Sequence, residues 1–486
     1  MSVEEERRPA DAPATAGAQS GSAEPVVRFD DRMSDADALM WSIEKDPMLR
    51  STITTVVLLE GQVDRRRLRR TFERASRVVP RLRQRVRSNP LSLAPPRWEG
   101  DPNFDLRYHL RSARAPGEGT MRDLLDMASP IAMQGFDRAR PLWEATVVDG
   151  LAGDRTAIIL KIHHAITDAV GGVELMLQLF DLAPDAPDRP MPPDPEVHVL
   201  NQTERFVDAF QHERRRQLGL ARRASAAGID GLRTAVADPS GSVIASSELA
   251  SSVARILRPV STPLSPLMRG RSLSNQLDVL SMPLDLAKKV GKKIGGSLND
   301  TFVTGAARAM HRYHQHHGAP VEALRMGMPI NMRDASAPHT AGNSFVPARL
   351  EVPVHHPDPV DLMEAIRERV VAARDEPANQ LVEPVSNVLN RLPTTVLTQL
   401  FGTMMKGLDF QTSNVPGAPI PLYLVGSPVA AVFPFGPLAG AAVNVTLLSY
   451  QNELNIGVNA DPAAVPDFDL FMELLRGSYD ELLDLA

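Results

Sequence analysis

Residues 184–275 do most to limit what this chain can become. The segment opens with Pro184 to Pro195, crowded with proline and aspartate. It continues as a charged helical pattern from Asn201 to about Ala235 and ends in the Ser-, Pro- and Arg-rich stretch Pro239 to Asn275. Such sequence offers no continuous apolar face, so it reads as a crossover, partly helical and partly irregular, between two folded halves. A chain of 486 residues is also too long for one ordinary core.

Both halves alternate strands with helices. Thr52 to Leu59 is a β-branched run ending before Gly61, the pattern of a strand. An arginine-rich helix follows from about Asp64 to Val79, stopped by Pro80, with Leu68, Phe72, Val78 and Val79 as its apolar contacts. Ala145 to Val148 and Thr156 to Ile162 form strands around the turn Asp149 to Asp154, and a helix is expected from about Val170 to Phe180. Beyond the crossover, strands are expected to end at Met282 and to occupy Glu351 to Val354, Val429 to Phe433, Val443 to Leu448 and Glu453 to Val458. Helices are expected over Leu284 to Ile294, Asn299 to Tyr313 and Asp467 to Leu485. The fold class is therefore α/β with two lobes: a disordered tail over 1–28, a first lobe over 29–183, the crossover over 184–275 and a second lobe over 276–486. An active site is expected where such lobes meet.

Composition removes several chemistries. There is no cysteine, which excludes disulfides, thiolate metal sites and cysteine nucleophiles. A net charge of -6 does not suit a nucleic-acid partner. No apolar run approaches the roughly 20 residues of a membrane helix, and no signal peptide is visible, so a cytoplasmic place is expected, with the inner membrane face within reach.

The strand Thr156 to Ile162 delivers His163-His164 to its end, and Asp168 follows four residues after His164. An imidazole with a pKa near roughly 6.5 can take a proton from an alcohol and return it to a leaving group. Asp168 could cap the next helix or pair with an arginine. Spacing alone leaves catalysis and a structural histidine pair evenly matched. Zinc is a poorer reading, because neighbouring residues on a strand point to opposite faces.

Pro141-Leu142-Trp143-Glu144 followed by His163-His164-Ala165-Ile166-Thr167-Asp168-Ala169 resembles the bacterial wax ester synthase/diacylglycerol acyltransferase family, whose signature is HHxxxDG. Further blocks in order extend the resemblance over nearly the whole ordered chain: Met33 to Asp37, Asp46-Pro47-Met48, Trp98-Glu99, Asn299-Asp300, Pro329 to Arg333, Thr412-Ser413-Asn414-Val415-Pro416-Gly417, and Ser449-Tyr450. The resemblance implies two chloramphenicol-acetyltransferase-like lobes and direct acyl transfer from acyl-CoA to a lipid alcohol, diacylglycerol or a long-chain fatty alcohol. His164 would be the general base, with His163 in support and Asp168 structural. Acyl-CoA would be a co-substrate, with no cofactor and no metal. Trp143, Asn299, Asp300, Ser413 and Asn414 would bind or support substrate, Asn299 or backbone N–H groups being candidate oxyanion donors. Contact with a membrane or lipid-droplet surface would be peripheral; nothing in the sequence sets the oligomeric state. Ala169 departs from the family glycine. A specialised-metabolite acceptor, or an idle two-lobed binding protein, are the competing readings.

Four other features admit two readings each. Residues 65–87 hold eleven arginines against one glutamate, which suits CoA phosphates or an anionic membrane, or simply a solvated helix face. Arg214-Arg215-Arg216 behind Phe206, Val207 and Phe210 suits an interfacial helix or a plain inter-lobe one. His311, His314, His316 and His317 imitate a metal cluster but sit at a helix end before Gly318, where histidines favour the helix dipole. Trp143 could line an acyl channel or pack the core.

Overall fold

The computed structural model describes residues 30–89, 94–166, 175–237, 262–331, 345–375 and 394–486. In chain order the strands are β1 (Thr52–Glu60), β2 (Gln84–Arg87), β3 (Arg97–Gly100), β4 (Leu110–Arg114), β5 (Trp143–Leu151), β6 (Arg155–His163), β7 (Gln276–Pro283), β8 (Ala323–Asn331), β9 (Phe345–Pro353), β10 (Phe410–Val415), β11 (Tyr423–Leu424), β12 (Ser427–Phe435), β13 (Val443–Tyr450) and β14 (Glu453–Ala460). The helices are α1 (Asp35–Ile43), α2 (Arg65–Val78), α3 (Leu106–His109), α4 (Met121–Met133), α5 (Gln202–Ala237), α6 (Leu284–Lys292), α7 (Leu298–His316), α8 (Pro359–Arg374), α9 (Thr394–Lys406) and α10 (Phe468–Leu483).

Two six-stranded sheets carry these elements, in the orders β11-β12-β1-β6-β5-β4 and β7-β14-β13-β10-β8-β9. Strand β1 lies between β6 and β12, antiparallel to both, with Val56 opposite Ile159 on one side and Phe433 on the other. Its apolar run is continuous because both faces are covered. Val57 and Leu59 join a core with Leu68 and Phe72 of α2, whereas Val56 and Leu58 join one with Leu124 and Leu125 of α4. In α2, the Asp64 carboxylate caps the first turn by accepting from the N–H groups of Arg66 and Arg67. Leu68, Phe72 and Val79 are buried as the apolar pattern predicts, but Val78 is exposed.

The expected division of the chain at 276 does not describe the sheets. β11 and β12 lie far beyond it, yet they complete the sheet built on β1. β7 packs its Leu277 into the core shared by α4, Phe433 and Phe435, and Ser129 of α4 donates to the Asn275 carbonyl at 2.5 Å. β12 crosses so close to β14 that a Cβ on Gly457 would stand 1.9 Å from the Pro434 carbonyl oxygen. The lobes are thus joined by exchanged strand as well as by the crossover. Within the crossover, α5 matches the expected helix, 182–201 carries no helix or strand, and 238–261 lies outside the described residues.

Candidate active site

The histidine pair sits where β6 ends. His163 pairs across the sheet with Thr52, the first residue of β1, and its N–H donates to the Leu142 carbonyl at 3.0 Å. The next N–H, that of His164, donates to the Ser51 carbonyl at 2.9 Å. The chain then tightens into a single 3-10 turn, His164–Ile166, whose Ala165 and Ile166 are buried in the first-lobe core.

The His163 side chain is fully enclosed and both its ring nitrogens are occupied. Nδ1 accepts the Ala165 N–H at 3.0 Å, so Nε2 carries the proton and donates it to Glu44 Oε1 at 2.8 Å. Trp41 meets the ring edge-on at 5.5 Å, with Phe136 at 6.2 Å. Glu44 closes the C-terminal end of α1. Burial pushes its carboxyl up, but His163, the Ser51 N–H at 2.5 Å and the Arg138 guanidinium at 3.9 Å together hold it below its ordinary value of 4.5. Arg138 also lies 4.1 Å above the Trp41 ring. The Glu44 carboxylate, edge-on ring contacts and backbone bonds therefore fix His163 in one tautomer and present His164, half-buried, immediately beside it.

Two residues back on the same face, Lys161 is fully buried. Its ammonium lies 4.4 Å over Phe136 and 3.9 Å from Glu144. Burial lowers its pKa to about 8 against the pull of Glu144, with Arg111 and Arg50 adding to the depression. Glu144 sits directly across β5–β6 from Lys161 and also meets Arg111 at 3.3 Å.

The remaining predicted residues fall elsewhere. Trp143 is core: its indole N–H donates to the Leu82 carbonyl at 2.8 Å, and its ring lies between His109 at 4.7 Å and Phe72 at 6.0 Å. Asn299 and Asp300 open α7 in the second lobe. The Asp300 carboxylate caps that helix, accepting from Ser297 N–H at 2.6 Å and Ser297 hydroxyl at 3.0 Å. Ser413 and Asn414 lie on β10 opposite Thr446 and Leu447, the first half-buried and the second exposed. Asp168 and Ala169 lie outside the described residues. Glu44 carried no sequence signal of its own; the helix it closes begins at Ser34, which caps by accepting from Asp37 N–H.

Two histidines of the 311–317 run are held by packing and hydrogen bonds in the second lobe. His314 Nδ1 donates to the Met310 carbonyl at 2.7 Å, and Nε2 accepts a hydrogen bond from the Ser265 hydroxyl at 2.6 Å, both inside the second core. His311 stacks on His355 at 4.3 Å. Among the described residues, no group of His, Asp or Glu could hold a metal ion, and no helix is long and apolar enough to cross a membrane. Most arginines of 65–87 are engaged: Arg65 with Asp149, Arg67 with Asp188 at 3.0 Å, and Arg77 and Arg83 with both Glu73 and Asp194.

Comparison with known proteins bears on the family and the fold. Residues 33–302 match the wax ester synthase/diacylglycerol acyltransferase catalytic domain, and residues 341–483 match the C-terminal domain of the same group. The chain belongs to the wax ester synthase/diacylglycerol acyltransferase family. It is an acyltransferase of that type. A Mycobacterium tuberculosis protein provisionally named a diacylglycerol O-acyltransferase is 38% identical over 459 residues, covering 94% of this chain and 93% of the relative. Another from the same species, named as the acyltransferase tgs1, is 25% identical, covering 89% and 91%. Among solved structures, the family member from Marinobacter aquaeolei VT8 superposes with a TM-score of 0.61 at 19% identity, covering 93% of this chain and 98% of that one. The first condensation domain of the calcium-dependent antibiotic synthetase superposes at 0.58 and 15% identity, covering 95% and 97%. These likenesses place the two-lobed fold in the same architectural group.

Proposed function

We propose that this chain transfers a fatty acyl group from acyl-CoA to the free hydroxyl of diacylglycerol, with His164 as general base. The observation that carries the assignment of the base is the state of its neighbour. His163 has one nitrogen accepting a backbone N–H and the other donating to a carboxylate, so it has neither a lone pair nor a loose proton to offer. Proton transfer then falls to His164. Its imidazole takes the proton as the acceptor oxygen attacks the thioester carbonyl. The tetrahedral intermediate collapses, the carbon–sulfur bond breaks, and the imidazolium returns the proton to the departing CoA thiolate. Transfer is direct, so no acyl-enzyme and no cysteine are needed. Acyl-CoA serves as co-substrate and no cofactor takes part. The names of the mycobacterial relatives support diacylglycerol as acceptor; such an acceptor puts the enzyme at the inner membrane surface.

The test is thiol release from palmitoyl-CoA with diacylglycerol or hexadecanol as acceptor. Acceptor-dependent release should fall by about 10²-fold or more in His164→Ala. Undiminished release in that variant would remove His164 as the base, and release with neither lipid would redirect the search to non-lipid alcohols.

A further inference from the structure

Lys161 is a buried charge that the reaction above does not use. It stands opposite Thr54 of β1 and Glu144 of β5. His163 follows it on the same face of β6, about 6.6 Å along the strand. Among the described residues the Lys161 ammonium has no hydrogen-bond partner. Enclosing an ammonium forfeits its hydration, and Glu144, at 3.9 Å and shared with Arg111, offsets only part of that loss. A methionine would fill the same space without that cost, so stability does not explain the charge.

What the charge touches is the segment that joins α4 to β5. Phe136 lies near the start of that segment and Glu144 just past its end. Lys161 meets both, with its ammonium 4.4 Å from the centre of the Phe136 ring and 3.9 Å from the Glu144 carboxylate. Between these two grips the segment packs against the histidine pair. The Phe136 ring reaches the His163 ring at 6.2 Å. Arg138 lies 4.1 Å above Trp41 and 3.9 Å from Glu44, two further neighbours of that ring. Phe136 is thus a side chain in contact with both Lys161 and His163.

We propose that Lys161 is a positioning residue whose charge holds the Phe136 ring, and with it the segment 136–144, against His163. His163 in turn keeps His164 in place for proton transfer, so the inference rests on the reading of His164 as base. An ammonium is drawn to the face of an aromatic ring, most strongly where water is excluded. A neutral side chain of the same length does not supply that attraction. The charged groups that bear on the ammonium are Glu144 on β5, Arg111 on β4 and Arg50 just before β1, with His163 on its own strand. Burial lowers its pKa to about 8 against the pull of Glu144, with the two arginines adding to the effect. The hold on Phe136 is therefore present below that pH and lost above it. Losing the same proton favours the folded chain over the unfolded one, so a fall in turnover across this range is not unfolding.

The experiment compares wild type, Lys161→Met, Phe136→Leu and the double variant, with thermal melts confirming that each folds. Turnover is followed as acceptor-dependent thiol release from acyl-CoA across neutral and alkaline pH. Each single variant should lose roughly tenfold in kcat with KM for acyl-CoA unchanged, and the double variant no more than either single one. Wild type should show a fall in kcat near pH 8 that all three variants lack. A second readout needs no acceptor. The His163 Nε2 proton, donated to Glu44, is followed by nuclear magnetic resonance in protein carrying isotope-labelled histidine. At neutral pH it should exchange with water faster in both single variants than in wild type, and the difference should close well above pH 8. Wild-type kcat in Lys161→Met, or an alkaline fall that survives in it, overturns the proposal. So do losses that multiply in the double variant, or equal proton exchange in all four proteins at neutral pH. If no acceptor supports turnover, the exchange rates decide. Activity that survives in His164→Ala, while Lys161→Met still lacks the alkaline fall, would remove the base and keep the positioning role.

Discussion

Glu44 and His163 stand 119 positions apart and meet at 2.8 Å. Glu44→Gln keeps the shape but replaces a charge-assisted acceptor with a neutral amide, which should cost about 1.5–3 kcal/mol of stability. It should also slow turnover by loosening the ring next to His164. The pH dependence gives a separate signature. The Glu44 carboxyl titrates below 4.5 in the fold, so its stabilisation is complete above that pH and is lost as pH falls through the folded value. Acid denaturation of Glu44→Gln should lack that component. Lys161 and Glu144 behave unequally when truncated. Lys161→Met removes a buried charge and leaves Glu144 paired with Arg111 at 3.3 Å, so urea denaturation at pH 7 should shift by less than about 1.5 kcal/mol. Glu144→Gln leaves Lys161 enclosed without a counter-charge and should cost about 3–5 kcal/mol. Between pH 8 and 10.5 the folded lysine has lost its proton while the unfolded one keeps it, so wild type should gain stability over that range and Lys161→Met should not.

At the scale of elements, the crossing of β12 over β14 depends on Gly457. Gly457→Ala would drive a methyl into the Pro434 carbonyl, and the strand must shift to relieve it. A loss of about 1–3 kcal/mol is expected in chemical denaturation, with lower acyl transfer because β12 is the strand beside β1. The elements that were legible in the sequence are those specified by their own residues. β1 announced itself by Thr52 to Leu59, α2 by its apolar contacts Leu68 and Phe72 and its Pro80 stop, and β6 by the apolar run before the histidines. α4 was not legible: it contains Pro130, and only Leu124, Leu125 and Ala128 of its apolar residues are fully buried in the core. The pairing of β12 with β1 was equally hidden, since an apolar strand does not state its partner. The same limit applies to the site. His163-His164 was visible as a local motif, whereas Glu44 acts through a contact that exists only once α1 has been folded against β6. Trp143 and Asp300 show the converse, conspicuous residues whose side chains are committed to packing and to a helix cap.

At the scale of the whole molecule, the shared sheet ties the lobes into one cooperative unit. The three tryptophans, Trp41, Trp98 and Trp143, all belong to the first-lobe core, so their fluorescence reports on that lobe alone, whereas far-ultraviolet circular dichroism reports on both. The two urea transitions should coincide; a separated fluorescence transition would mean that the lobes unfold independently. The same exchanged strand has a consequence for synthesis. β1 ends at Glu60 and its neighbour β12 begins at Ser427, roughly 370 residues later, which at about 5–20 residues per second is on the order of 20–70 s of ribosome time. Throughout that interval one edge of β1 is an open template, and the nascent chain must be kept from filling it with the wrong strand.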